Sequence, residues 1–413
     1  MSIRINRRNL LKLSGAASVV GAASFAAPWV VRTANAQSGP IKIGFPVPLS
    51  GVYADYAADQ VNGAQLAIDQ ANASGGVLGR QVELLVRDDQ LDVQVSSQLC
   101  KELVENDKVD FLSGALGEHT ILSMNEASRQ YKMIFMGINQ SNDIFTGNNF
   151  NKYTFLEAFT PYLSVTYLSR WALDKFKPKR VFTLGPDYQW GWNNRDQWKR
   201  RVEAAGGEIV GNIIYPFKHE DYTPFMQQIL DAKPDLLAAA NFGDEQVFFL
   251  KLAIPYGIQQ KMPIVLTLTG TTPRIPAGAD AFEGVFGGTT FYWEMANTIP
   301  TAKAFVDAFN AKHGWPPGDY GATSYSAIRN LLTATQKVGA IDQDKIVEAL
   351  EGLEYDNYKG KEWLRPCTHQ SFQDFYVLQS RAQPVGEWGY FEIVNHSTWD
   401  EVDERTCQEL RGA

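Results

Sequence analysis

The chain has 413 residues, with 46 acidic and 38 basic side chains and a formal net charge of −8 at pH 7. An acidic chain of this kind argues against nucleic acid and against an anionic membrane surface as partners. Single hydrophobic cores stop growing at roughly 250 to 300 residues, so this length predicts two lobes.

Residues 1–36 are predicted to be a cleaved export signal. Basic residues, among them Arg7 and Arg8, precede an apolar run that ends in the small-residue sequence Ala-Asn-Ala at Ala36, as in a signal peptide. The Arg7-Arg8 pair resembles the twin-arginine export motif. A membrane anchor is the alternative, but the run is rich in Ala, Gly and Ser and is broken by Pro28. Removal of five basic residues and no acidic ones takes the net charge to −13, and the processed chain is expected in the periplasm.

The first predicted unit after the signal, over 41–89, consists of a strand, a loop, a helix, a turn and a second strand. Apolar residues alternate in its first positions, as in a strand, and then recur at helical spacing. Ligands of open parallel sheets bind outside the carboxyl ends of the strands. The long loop over 46–60 is therefore a candidate ligand-binding edge.

Two further predicted strands, over 109–114 and 133–136, end in short polar loops. The first loop opens the next helix, where backbone N–H groups lack partners within the helix and are able to hold an anionic group. The candidate ligand-binding residues of these two loops are Gly117, Glu118, His119, Thr120, Asn139, Gln140 and Ser141.

The Glu118–His119 pair admits three interpretations: a helix-capping loop, a polar contact to a ligand, or the acid–base pair of an exported enzyme. No nucleophile or metal partner lies near the pair in sequence. The chain also lacks a Gly-x-Ser-x-Gly elbow, a Walker loop and a His-Glu-x-x-His motif. These absences give little support for catalysis, and we predict that the protein is not an enzyme and needs no cofactor or metal.

The alternation of strands and helices pauses near 153–162 and then begins again, which predicts a second lobe. Four strands alternate with helices between 180 and 268, so both halves are predicted to be doubly wound α/β. Near the end of the chain, alternating apolar residues over 375–378 and 389–394 predict antiparallel strands.

The chain has three cysteines. Cys100 lies among apolar residues of a predicted helix and is expected to be a buried thiol. Cys367 and Cys407 both lie near the C-terminus, and we predict that they form a disulfide in an oxidising compartment. Their spacing does not suggest a zinc site.

Several motifs occur in an order and spacing typical of one family. They are Pro-Leu-Ser-Gly at 48–51, Gly-Ala-x-Leu-Ala-Ile-Asp at 63–69, Asn-Ala-x-Gly-Gly-x-x-Gly at 72–79 and Asp-Tyr-Gln-Trp-Gly at 187–191. Over 40–355 the chain resembles the periplasmic solute-binding proteins of branched-chain-amino-acid-type ABC importers.

The resemblance implies the type I periplasmic binding protein fold, an α/β fold of two doubly wound, Rossmann-like lobes joined by three crossovers. The crossovers are expected near 156–160, 286–289 and 356–363. One ligand is expected to be enclosed between the lobes by hinge closure, and the closed monomer to dock on a permease in the inner membrane. The predicted lobes are 39–156 with 289–355, and 160–286 with 363–413.

The resemblance also places the carboxylate-holding loop of the family on 117–120 and its second loop on 139–141. For each aromatic residue, packing within one lobe is the alternative to ligand contact. The aromatic wall of the family falls on Tyr56, Trp190, Phe242 and Tyr320. We add Tyr188 next to Trp190, and Tyr53 from the loop over 46–60, which becomes one lip of the cleft.

Two departures from the family bear on the ligand. Members that bind α-amino acids resemble one another in placing an acid at a strand end of the second lobe, and the corresponding stretch 266–271 has none. A buried ammonium without a carboxylate is costly, although Glu118 would serve as a substitute partner. Together with the aromatic wall, this favours an aromatic or aliphatic carboxylate as ligand. An amino acid or amide ligand, and a role as a periplasmic ligand sensor, are the alternatives.

Overall fold

The structure, a computed structural model, describes residues 39–139 and 149–398. Its first sheet has five parallel strands in the order β2-β1-β3-β4-β5. The strands are β1 (Ile41–Val47), β2 (Val82–Asp88), β3 (Phe111–Gly114), β4 (Phe135–Gly137) and β5 (Thr154–Leu156). The helices of this lobe are α1 (Ala54–Ala73), α2 (Val93–Glu105), α3 (Glu118–Tyr131), α10 (Pro300–His313), α11 (Asp319–Val338) and α12 (Gln343–Leu350).

The second sheet has the strand order β15-β14-β10-β9-β8-β6-β7. Its strands are β6 (Arg180–Pro186), β7 (Glu208–Tyr215), β8 (Leu236–Ala239), β9 (Ile264–Leu266), β10 (Val285–Thr289), β14 (Phe375–Val385) and β15 (Gly389–Ser397). The helices of this lobe are α4 (Pro161–Phe176), α5 (Gln189–Ala204), α6 (Thr223–Ala232), α7 (Asp244–Ala253), α8 (Ile258–Lys261) and α9 (Thr271–Ala277). Strand β14 pairs antiparallel with both β10 and β15, which confirms the prediction for the last part of the chain.

The central strands of both sheets have nearly continuous apolar sequences because helices cover both of their faces. Every residue of β3, β8 and β9 is buried. Parallel strands that are buried on both faces carry unbroken apolar runs instead of alternating ones. Buried apolar surface contributes roughly 25 cal/mol per Å², so these strands hold each lobe together.

Helices α1 and α11 approach each other more closely than most helix pairs. A Cβ added to Gly63 would lie 1.9 Å from the backbone oxygen of Gly321, so this crossing needs glycine. The contact brings the first turns of the two helices together, with the rings of Tyr56 and Tyr320 at 5.4 Å between centroids. A pair of glycines therefore positions two of the predicted wall residues.

The chain crosses between the two sheets three times, which confirms the predicted fold class. The first crossing follows β5. The second follows β10, because Val285–Thr289 is a strand of the second sheet, whereas the sequence placed this crossing within that strand. The third crossing contains a small antiparallel sheet of β11 (Glu354–Tyr355), β12 (Glu362–Leu364) and β13 (Ser371–Phe372).

A buried polar group, which we call the hinge cluster, joins all three crossings. It consists of Glu157 from the first crossing, the Thr290 carbonyl from the second, and Tyr355, Lys359 and Glu362 from the third. The Lys359 ammonium donates to the Thr290 oxygen at 2.9 Å and lies 3.2 Å from Glu362 Oε1. The Tyr355 hydroxyl donates to Glu157 Oε2 at 2.7 Å. These bonds fix the three crossings relative to one another.

Burial dominates the electrostatics of the hinge cluster. Lys359 and Glu362 are almost completely buried. Burial raises the pKa of Glu157 and of Glu362 well above the usual range of a carboxyl, although the ammonium of Lys359 opposes the rise. One lysine facing two buried carboxyls therefore favours a state in which one of the acids keeps its proton.

Several predictions lie outside the described residues. They concern the export signal at 1–36, the loop residues Gln140 and Ser141, and Cys407 with the rest of 399–413. They stay predictions, as do the lobe limits proposed from the sequence. Within 39–139 and 149–398, no helix is both long and apolar enough to cross a membrane.

Candidate functional site

The loops that follow the carboxyl ends of strands in both sheets meet between the lobes and enclose a cavity. This ligand cavity contains about 370 Å³ of space that is not filled by protein atoms, part of it open to solvent. Its wall combines aromatic residues of both lobes with two polar groups of the first lobe. The lining residues are Tyr53, Leu116, Gly117, Glu118, Asn139, Tyr188, Trp190, Phe242, Leu268 and Tyr320.

Aromatic rings from the two lobes contact one another across the cleft. Tyr53 and Tyr56 of the first lobe lie 5.2 and 4.5 Å from the Phe242 ring of the second lobe, measured between centroids. Tyr53 also lies 6.1 Å from Phe217, which follows β7. Aromatic pairs at these separations are favourable. The structure is therefore a closed form in which ring contacts between the lobes cover the cavity.

Two features fix Trp190 at the start of α5: a hydrogen bond from its indole, and the lack of a side chain on the next residue, Gly191. Its Nε1–H donates to the carbonyl of Ala240 at 2.7 Å. A Cβ on Gly191 would lie only 2.0 Å from the Pro186 oxygen, so glycine allows the helix to begin directly beneath the end of β6. The ring is therefore held in the cavity wall by a buried hydrogen bond as well as by packing.

The loop before α3 presents one acidic side chain to the cavity. Gly117 has φ 151°, and a Cβ there would lie 2.6 Å from the Leu91 side chain, so this turn requires glycine. Glu118, the first residue of α3, lines the cavity. The Thr120 hydroxyl donates to the Gly117 carbonyl at 3.0 Å, and His119 Nε2 lies 3.0 Å from the Leu91 oxygen. Those two side chains are thus engaged with the backbone of their own lobe.

The buried tyrosines at the cleft are neutral hydrogen-bonding groups. Burial, reinforced by the negative charge of Glu245, raises the pKa of Tyr53 far above its ordinary value. Burial likewise raises the pKa of Tyr56, of Tyr188 and of Tyr320. Phenols that stay protonated are able to donate or accept a hydrogen bond without carrying charge. They suit a solute with an apolar body and polar substituents.

The structure brings together most of the residues that the sequence predicted. Tyr56 lies beside the cavity and lines a neighbouring space, and Gln140 and Ser141 lie outside the described residues. Whether these side chains contact a ligand stays a prediction. The predicted residues that line the ligand cavity are Tyr53, Gly117, Glu118, Asn139, Tyr188, Trp190, Phe242 and Tyr320.

Sequence reasoning missed three residues at the site. Leu116 and Leu268 line the cavity, and Phe217 packs against Tyr53 and Tyr188. All three follow the carboxyl end of a strand, which is the signal that identified the other candidates. Apolar side chains at strand ends also serve packing within a lobe, so their residue type does not mark them as ligand contacts.

The described lining of the ligand cavity carries a negative charge and no positive one. Glu118 is its charged member. A second acid, Glu245, lies nearby under the loop after β7. It accepts the backbone N–H of Lys218 at 2.7 Å, and burial raises its pKa to about 7. Any negative charge on a ligand would therefore have to be met by backbone N–H groups or neutral side chains.

The described residues contain no group of three His, Cys, Asp or Glu side chains placed to hold a metal ion. Cys100 is a free, fully buried thiol, as predicted. Burial raises its pKa to about 12, so it is protonated and unreactive at neutral pH. The predicted pairing of Cys367 with Cys407 extends beyond the described residues and stays a prediction.

Two doubly wound lobes that close aromatic side chains over one cavity define a two-lobed α/β binding protein. The chain belongs to the periplasmic binding protein family, whose model matches residues 40–384. This confirms the resemblance to solute-binding proteins of branched-chain-amino-acid-type ABC transporters.

Individual relatives cover almost the whole chain at low sequence identity. The leucine-, isoleucine-, valine-, threonine- and alanine-binding protein of Pseudomonas aeruginosa is 23% identical over 353 residues, which cover 86% of this chain and 91% of that protein. A periplasmic binding protein from Burkholderia mallei superposes with a TM-score of 0.82 at 25% identity, covering 91% of this chain and 99% of that one. An ABC transporter solute-binding protein from Rhodopseudomonas palustris, solved with 3,4-dihydroxybenzoic acid, has a TM-score of 0.78 at 24% identity, covering 87% and 97%.

Proposed function

We propose that this protein is the exported, monomeric substrate-binding component of an ABC importer. It captures a small carboxylate with an aromatic or aliphatic body and delivers it to a permease in the inner membrane. The observation that carries the proposal is the ligand cavity, which aromatic rings of both lobes enclose. No catalytic step is part of the proposal.

The two ends of such a ligand meet different parts of the cavity. Its body lies between Trp190, Phe242 and Tyr320, where burial of apolar surface and ring contacts stabilise it. Its carboxylate lies at the start of α3, a helix of 14 residues, where the first N–H groups have no partner within the helix and the helix dipole favours a negative charge. The solute-binding protein from Rhodopseudomonas palustris, solved with 3,4-dihydroxybenzoic acid, supports an aromatic acid as the first choice.

An amino acid or amide is the second candidate, and one observation favours it. Glu118 places a carboxylate in the cavity wall, where it would pair with an ammonium or accept a hydrogen bond from an amide. The named specificity of the Pseudomonas aeruginosa relative agrees with this alternative.

Closure of the lobes is the functional step in this proposal. A ligand that contacts both walls binds the closed form better than the open form and shifts the population toward it. The permease then distinguishes the closed, loaded protein from the open one. The hinge cluster supplies the fixed point about which the lobes move.

A ligand screen tests the proposed function. Purified protein is heated with benzoate, hydroxybenzoates, short aliphatic acids, leucine, valine, amides and urea. A ligand at 100 times its dissociation constant raises the free energy of unfolding by roughly 2.7 kcal/mol. We expect the aromatic or aliphatic acids to stabilise the protein. Stabilisation by leucine or valine, with none by the acids, would establish the second candidate instead.

A matched pair of variants locates the binding. Trp190→Ala removes a cavity wall residue, whereas Trp192→Ala removes an exposed tryptophan of the same helix. We expect the first variant to lose at least tenfold in affinity for the ligand found in the screen and the second to lose less than twofold. Equal losses would show that the solute binds elsewhere.

Two further experiments test the rival roles. If the protein consumed its ligand and His119→Ala abolished that consumption, it would be an enzyme. If the closed protein captured a sensor kinase and no permease from a membrane extract, it would be a ligand sensor. We expect unchanged ligand after prolonged incubation, and capture of a permease.

A further inference from the structure

A second space, which we call the side chamber, adjoins the ligand cavity. Its space of about 460 Å³ that is not filled by protein atoms is in part open to solvent. The two spaces share Phe242, Leu268 and Tyr320 as lining residues. The side chamber and the ligand cavity are therefore neighbours on the two sides of these side chains.

The wall of the side chamber is more polar than that of the cavity. Three threonines after β9, the Gln246 amide and the Asp319 carboxyl line it. The Gln246 amide already has protein partners. Its Nε2 donates to the carbonyls of Asn241 and Leu268 at 3.2 and 2.9 Å, and its Oε1 accepts from Thr269. Asp319 is the charged side chain of the described lining.

Asp319 stands at the first position of α11 in a negative environment. Behind it lies Asp59, whose carboxylate accepts the backbone N–H groups of Gly318 and Gly321 at 3.2 and 2.7 Å. Burial, reinforced by the charge of Asp59, raises the pKa of Asp319 to about 7. The ammonium of Lys359 opposes this rise, but it is bonded within the hinge cluster.

We propose that the side chamber is a subsite for a hydrogen-bond-donating or cationic group at the end of the ligand remote from its carboxylate. This inference rests on the proposed function and deepens it. The ligand would be a bipolar molecule, with its carboxylate at the start of α3, its apolar body against Phe242 and Tyr320, and an ammonium, amide or hydroxyl group directed toward Asp319. A second carboxylate at that end would be repelled.

A structural role for Asp319 is the competing explanation, since an acid at a helix start interacts favourably with the dipole. Asp59 accepts two backbone N–H groups at this helix start, and backbone N–H groups of Asp319 and Tyr320 also lower the pKa of the Asp319 carboxyl, so both roles need a direct test. A capping role predicts that replacement of Asp319 changes stability and leaves ligand selectivity unchanged. A subsite predicts the reverse.

Calorimetric titration with two probes that share one body separates these explanations. The probes are benzoate and 4-(aminomethyl)benzoate, which differ by one aminomethyl group. We expect the wild-type protein to bind 4-(aminomethyl)benzoate at least tenfold more tightly than benzoate. We expect Asp319→Asn to abolish this preference and to leave the affinity for benzoate within twofold. Equal affinities in the wild-type protein, or an equal loss for both probes in the variant, would overturn the subsite.

The wild-type pH profile is a second measurement, which does not depend on the folding of a variant. Asp319 must be ionised to pair with an ammonium, so the affinity for 4-(aminomethyl)benzoate should fall as the pH is lowered through 7, while that for benzoate should not. The groups that face Asp319 are Asp59, Lys359 and the phenols of Tyr56, Tyr320 and Tyr358, and the phenols stay neutral in this range. Parallel profiles for the two probes would overturn the proposal. Failure of both probes to bind at any pH would contradict an aromatic carboxylate as the ligand, and with it the subsite proposed for its remote end.

Discussion

The ligand cavity and the hinge cluster are both buried where the lobes meet, but they are built from opposite chemistry. The cavity joins the lobes through ring contacts such as Tyr56 against Phe242, which have no directional bonds. The hinge cluster joins the crossings through charged and hydrogen-bonded groups such as Lys359 and Glu157. Ring contacts break and re-form with many partners, including a ligand, whereas a buried ion pair tolerates little displacement. We therefore expect the ring contacts across the cleft to separate when the lobes open, and the hinge cluster to stay intact.

The largest expected effect is on the hinge side. Lys359→Met removes the cation and leaves the Thr290 carbonyl and the ionised carboxyl of the hinge cluster buried without their partner, which should lower the free energy of unfolding by roughly 3 to 5 kcal/mol. Urea denaturation measures this loss. The control is Lys361→Met, whose ammonium is exposed and pairs with Glu354 at the surface; it should change stability by less than about 1 kcal/mol. Similar values for the two variants would show that the hinge cluster does not stabilise the fold.

A smaller effect is expected where α1 meets α11. Gly63→Ala places a methyl group against the Gly321 carbonyl and forces the helices apart, at a cost of roughly 1 to 3 kcal/mol. Because Tyr56 and Tyr320 stand on these helices, ligand affinity should fall as well. Gln65→Ala is the control, since it lies on the same helix and its side chain contacts Asp69 at the exposed surface. Thermal unfolding and titration of the same samples separate the two effects, and an unchanged Gly63→Ala protein would refute the close contact.

The hinge cluster should also make stability depend on pH. Because burial raises the folded-state pKa of Glu362 above its ordinary value of 4.5, the unfolded chain loses this proton first as the pH rises. As the pH rises above 4.5, the free energy of unfolding therefore falls by at most about 1.4 kcal/mol per pH unit. The fall ends once the pH has passed the folded-state pKa of Glu362. Glu362→Gln should flatten this part of the profile of unfolding temperature against pH. Glu348→Gln, on the exposed face of α12, should leave it unchanged, and identical profiles for all three proteins would contradict the assignment.

The smallest effect lies in the cavity wall. Trp190→Phe keeps a ring but leaves the Ala240 carbonyl without its donor, which should cost about 1 kcal/mol. Trp192→Phe loses only an exposed bond to Asp187 and should be neutral. Chemical denaturation of the two variants measures the difference. A loss as large as that of Lys359→Met would remove the contrast between the cavity and the hinge cluster.

The sequence predicted the cavity better than the hinge cluster, for a physical reason. Residues such as Tyr53, Glu118 and Trp190 follow strand ends, and the carboxyl ends of parallel strands meet at one edge. Their approximate positions therefore follow from the order of strands and helices, and the family resemblance placed the second-lobe residues. The ring contacts across the cleft did not follow, because they depend on how far the lobes close.

The hinge cluster was not predicted at all. Lys359 and Glu362 lie in an irregular segment rich in charged residues, and lysine is almost never fully buried unless it is paired. The paired acid Glu157 lies far away in sequence, at another crossing. No local pattern connects these residues, because their proximity arises only when three separate parts of the chain pass side by side. The sequence placed the second crossing within β10 for the same reason, since the strand end depends on pairing with β14.

The three crossings have a mechanical consequence. Two bodies joined by one flexible segment are free to rotate about several axes, but three segments tied together by Lys359 and Glu157 resist both sliding and twisting. Bending about an axis that runs through all three crossings does not stretch any of these segments. We therefore expect the lobes to move mainly by this bending, so that a single distance across the mouth of the cleft should report whether the cleft is open or closed.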